Sequence, residues 1–184
     1  MAATISRLYD NYADAQNAVQ GLEAAGVPQS DISIVANNSD GWFDEKRDHE
    51  GDGVDDRAEA AGAGALIGAG LGGAAGLLTG LGLLAIPGLG PVVAAGWLAA
   101  TSVGAAAGAA SGGIVAALTQ AGVSDDEALL YAEGVRRGGT LVSAKVVDVD
   151  RHRLDAILNQ SSVDVRGRSA AWQKAGWTGY DPAT

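Results

Sequence analysis

The chain has 184 residues, enough for one ordinary domain or a small domain with an inserted element. It carries a formal net charge of -10, which makes it a poor partner for a phosphate backbone, so nucleic acid is disfavoured. It contains no cysteine, which excludes a disulfide framework and a thiolate zinc site.

The opening residues, Met1 to Arg7, contain no apolar core of signal-peptide length, so synthesis in the cytoplasm without cleavage is expected. Residues 4–9 read as a short strand. A helix follows, with Asn11 as its cap and Tyr12, Ala15, Val19 and Leu22 as its apolar stripe. Gly26 ends it and Pro28 lies just beyond. Ile32 and Ile34 mark a second strand, giving β-α-β for residues 1–37.

Residues 38–58 change to acids, Gly and a Trp-Phe pair, the composition of a linker. The charge is uneven, for residues 1–59 hold 13 acids against 4 bases. Within this stretch Asp48, Glu50, Asp52, Gly53 and Glu59 have the length of an EF-hand loop. Glu50 is too long for the usual third ligand, and Asp55 stands where an apolar anchor belongs. A solvated acidic linker is the expected reading, and no metal site is assigned.

Residues 60–124 carry no charged side chain. Glycines fall every fourth residue at Gly64, Gly68, Gly72, Gly76 and Gly80, and the spacing resumes with Gly96, Ala100, Gly104, Gly108 and Gly112. On a helix, positions four apart stack on one face, so each run predicts a bare groove suited to close backbone packing. Pro87, Gly88, Gly90 and Pro91 form the turn between two helices, expected over about 59–85 and 91–120, with Pro91 at a helix start. Each glycine weakens an isolated helix by roughly 0.8–1 kcal/mol against alanine, so the grooves require a partner. Gly68-Ala69-Gly70-Leu71-Gly72-Gly73 also contains G-x-G-x-x-G. That motif binds dinucleotides only between a strand and a helix start, so no cofactor is predicted.

Ser124-Asp125-Asp126-Glu127 reads as a capping box opening a helix that stops at Gly138-Gly139. Residues 140–147 alternate as a strand, Leu154, Ile157 and Leu158 mark another helix, and Val163 and Val165 a last strand. Residues 121–168 thus complete the domain, and 169–184 form an aromatic tail. The expected class is α+β: a ferredoxin-like split βαβ domain interrupted by a glycine-zipper helical hairpin at 59–120.

Several stretches together carry a resemblance. They are Leu8-Tyr9-Asp10 with Gly26-Val27-Pro28, the Ala85-Ile86-Pro87-Gly88-Leu89-Gly90-Pro91 turn with Ala94-Ala95-Gly96, Tyr131 to Gly134 with Arg137 to Val142, and Val163-Asp164-Val165. The chain resembles the bacterial general stress proteins of the YflT-like (heat-induced stress protein) family, in the subgroup with a glycine-rich insert. That resemblance implies a stress-induced, non-catalytic protein and brings no catalytic residues.

The residues themselves point the same way. No serine stands in a nucleophile-elbow context, and His49 and His152 are the only histidines. No catalytic residue and no small-molecule substrate is identified. Arg136-Arg137 and Arg151-His152-Arg153 are candidates for a basic patch toward anionic lipid. The expected partner is a second copy of the chain, joined through the zipper glycines, in a cytoplasmic oligomer either free or with membrane lipid beside it at the inner face of the cell membrane. The competing classes are a membrane pore or lipid-remodelling element, and an ion- or ligand-binding sensor.

Overall fold

A computed structural model describes residues 2–45, 81–86, 89–106 and 113–180. The first elements follow the sequence closely. Strand β1 spans Ala2–Tyr9 and helix α1 spans Tyr12–Ala24. Asn11 caps α1, its Oδ1 accepting from the Asp14 N–H at 2.9 Å. Ala15, Val19 and Leu22 are buried along the predicted stripe. Gly26 adopts a left-handed φ of 91°. Its N–H donates to Glu23 O at 2.9 Å and that of Val27 to Leu22 O at 3.0 Å, a complete Schellman closure. Strand β2 (Ile32–Asn37) and a short helix α2 (Trp42–Glu45) follow.

The first large departure comes at residues 82–96. Where the glycine spacing predicts the end of one helix, a turn and the start of another, the chain forms a β-hairpin of β3 (Gly82–Ile86) and β4 (Gly90–Gly96). A short apolar run reads equally as buried strand or buried helix, and the β-branched Ile86, Val92 and Val93 decide for strand. Gly90 and Pro91 open β4 rather than a helix, with Pro91 near its start, where the missing N–H is tolerated. Helix α3 (Trp97–Ala106) and helix α4 (Gly113–Gln120) come after the hairpin. Then come α5 (Asp125–Arg136), β5 (Thr140–Val147), α6 (Arg151–Leu158) and α7 (Val165–Lys174).

The five strands form one sheet in the order β1-β5-β2-β4-β3, every neighbouring pair antiparallel. β1 and β2 are therefore parallel to each other with β5 inserted between them, the split arrangement that α1 bridges. The α+β class holds. Of the fourth strand expected for a ferredoxin-like plan, a single antiparallel bridge from Val163 to Leu8 is formed. Asp164 instead caps α7, its Oδ1 accepting from the Gly167 N–H at 3.0 Å, and the aromatic tail from residue 169 begins inside that helix.

Helices cover both faces. One face packs Ile5, Tyr9, Ile32, Ile34 and Val142 against α1 and α6. The other packs Leu8, Val35, Val92 and Leu141 against α3, α4 and α5. On that second face the register aligns Ser6, Ser143 and Ser33 across β1, β5 and β2. The Ser6 and Ser143 hydroxyls lie 2.8 Å apart. Ser33 Oγ donates to Ala95 O at 2.8 Å and accepts from the Leu98 N–H at 3.1 Å. Ser33 on β2 thus caps the start of α3, satisfying an N–H with no intrahelical acceptor. Replacing a capping hydroxyl costs about 0.5–2 kcal/mol. Ser33→Ala is expected to lose that much in urea unfolding, while Ser30→Ala, an exposed neighbour, should be silent.

Candidate functional site

Most of the residues predicted to make the zipper lie outside the described part of the chain: Gly64, Gly68, Gly72, Gly76, Gly80, Gly108 and Gly112, with Pro87 and Gly88 of the turn. The acidic stretch from Asp48 to Glu59 and the G-x-G-x-x-G segment lie there too. Gly104 falls within α3. Gly96 is not on a helix face. It ends β4 with a φ of 85°, and a Cβ there would sit 2.2 Å from Ile32 O, so close strand packing and a sharp exit into α3 demand the glycine.

The two basic clusters do not form one patch. Arg136 and Arg137 sit at the C-terminal end of α5, whose 12 residues span about 18 Å. Both are held by the fully buried Glu133. Arg136 Nε donates to Glu133 Oε2 at 2.9 Å and Arg137 Nε to Oε1 at 2.5 Å. The Arg137 guanidinium also lies 5.0 Å from the centre of the Trp172 ring, so the cluster clips α7 onto α5. Arg153 turns to Asp150 and to Ala25 O.

Arg151 and His152 line a cavity of about 540 Å³ beside the N-terminal end of α5. Its floor is the outer edge of β1, from Thr4 to Arg7. α5 supplies one wall through Glu127 and Tyr131, α6 the other through Arg151, His152 and Asp155. The floor is closed by its own polar groups. Ser6 O accepts from Tyr131 Oη and from Arg7 Nη1, each at 2.7 Å. Arg7 also donates to Asp155 Oδ1 at 2.5 Å and to Asn159 Oδ1 at 3.2 Å. Burial, with the Glu127 carboxylate beside it, pushes the Tyr131 hydroxyl well above its usual range, so it remains a donor.

Glu127 was expected to close a capping box. The helix does start at Asp125, but Ser124 makes no side-chain cap, and Glu127 reaches Tyr131 Oη at 3.2 Å instead. Its carboxylate is thereby turned toward the cavity. The local pattern around Glu127 says helix start, and only the position of β1 under Tyr131 redirects it. Among the described residues no group of three potential metal ligands comes together, and no helix is long and apolar enough to cross a membrane. Helices α3 and α4 span 10 and 8 residues.

The architecture is that of a mixed α+β domain with an antiparallel sheet covered by helices on both faces. Residues 4–84 match the family model of the heat induced stress protein YflT domain, which bears out the resemblance to these stress proteins over β1, α1, β2 and into β3. No curated protein and no solved structure matches the chain.

Proposed function

We propose that this chain is a general stress protein that acts without catalysis, by self-association through its glycine-rich segment at the inner face of the cell membrane. The family match supports the stress role. The observation that carries self-association is the four-residue glycine period inside a charge-free stretch. The hairpin of β3 and β4 narrows the reading. Leu89, Val92 and Val93 are buried within the chain's own fold, so these three residues need neither lipid nor a sister molecule to cover them. We therefore propose residues 60–80 together with the run from Ala100 to Gly112 as the interface, and the same charge-free residues for contact with lipid.

Leucine side chains at two groove positions would block close approach of helix backbones. The native protein is expected to sediment as a multiple of 18.3 kDa, and the Gly72→Leu, Gly108→Leu double variant as the single chain. An unchanged large species in the double variant, or a wild-type monomer, would remove the zipper as interface. Carbonate extraction of the cell membrane tests the lipid contact separately, and complete release of the protein would exclude insertion.

A further inference from the structure

The cavity at the edge of β1 presents unlike charges that do not pair. Glu127 on the α5 wall and Arg151 on the α6 wall both line it, yet neither has an oppositely charged partner within 4.0 Å among the described residues. The third acid, Asp155, is taken by Arg7. Tyr131 has a single hydroxyl hydrogen, and its shorter bond, at 2.7 Å, goes to Ser6 O. The 3.2 Å contact to Glu127 is the weaker one and leaves the carboxylate with acceptor capacity toward the cavity. On the opposite wall the Arg151 guanidinium offers donors to a carboxylate, and His152 lines the same wall. A volume of about 540 Å³ is that of a small-molecule site, well beyond what a single bridging water would fill.

We propose that this cavity binds a small zwitterion, with its ammonium group on Glu127 and its carboxylate on Arg151 and His152. A simple anion would meet Glu127 as a like charge, and a simple cation would meet Arg151. Only a ligand carrying both signs leaves no charge of the cavity facing its own kind. The Arg7–Asp155 pair and the Tyr131–Ser6 bond hold the floor fixed, so the site is formed before the ligand enters. The inference is independent of self-association, since it uses neither the glycine runs nor their partners.

Calorimetric titration of the full chain tests it, a readout that works whatever the size of the particle. The probes are ω-amino acids graded in length from glycine to 6-aminohexanoate, each against the simple carboxylate and the simple amine of the same length. One length is expected to bind saturably, at least about tenfold more tightly than either half-molecule. Glu127→Gln and Arg151→Gln should each abolish that preference while leaving the circular dichroism spectrum unchanged. Neither side chain has an oppositely charged partner among the described residues, and the amide oxygen introduced by Glu127→Gln can still accept from Tyr131 Oη. Equal binding by the carboxylate alone would make this an anion site, and equal binding by the amine alone a cation site. Either result overturns the proposal, as does the absence of saturable heat from every length up to about 10 mM.

Discussion

Gly96→Ala is expected to destabilise the protein by more than about 3 kcal/mol, or to prevent folding at 37 °C. The added methyl would stand 2.2 Å from Ile32 O and 2.8 Å from Ser33 Cα, both backbone atoms of β2 that cannot swing aside. It would also be forced into a left-handed φ of 85° that L-residues avoid at about 1–2 kcal/mol. The sign of this effect separates two structures for the same residues. Were Gly96 a groove position on an exposed helix, alanine would stabilise it by roughly 0.8–1 kcal/mol. Urea unfolding of the variant distinguishes the two, and any gain in stability would disprove the β3–β4 hairpin. The neighbouring Ala100→Gly, on α3, should lose only about 1 kcal/mol, as expected for a helix interior.

The Gly96 case shows why the middle of this chain was harder to read than its ends. Asn11, the stripe from Ala15 to Leu22, and Gly26 each carry local signals that agree with one another, and the structure follows them. Residues 81–96 carry a glycine period and an apolar run at once. Periodicity favoured helix, but the period there rests on Gly96 alone, and its glycine answers to close backbone packing against β2. The sheet that accepts β4 includes β5, far away in the chain, and no local window reports that. The cavity was hidden for a related reason. Glu127 looks like a capping residue in sequence, and Arg151 and His152 look like a solvated helix start. They meet on one cavity only because β1 lies between α5 and α6. Conversely, the two basic pairs that look alike in sequence are chemically distinct. Arg136 and Arg137 are consumed by a buried carboxylate, and Arg151 is not.

The second large effect concerns that carboxylate. Removing both guanidiniums in an Arg136→Ala, Arg137→Ala variant is expected to cost about 3–5 kcal/mol, because it strands Glu133 as an uncompensated charge in the interior. Glu133 is fully buried, whereas the side chains of Arg136 and Arg137 are 34% and 41% exposed. The burden therefore falls on the acid, for water can solvate a released arginine but cannot reach the carboxylate. Part of the loss comes from the Arg137 stack on Trp172, worth about 0.5–1 kcal/mol at an exposed position, and Trp172→Ala measures an upper bound to it. If desolvated charge is the cause, adding Glu133→Leu to the double arginine variant should restore most of the stability, since an apolar side chain of similar size removes the unpaired group. If lost packing is the cause, the triple variant should be no better than the double. The arginine double variant should also loosen α7 first, because Trp172 docks there through Arg137 and lies beside Trp177 at 5.8 Å. Tryptophan fluorescence should then shift at lower urea than the far-ultraviolet signal, and coincident transitions would show instead that α7 is held by its apolar contacts, Val165 among them, without help from the charge cluster.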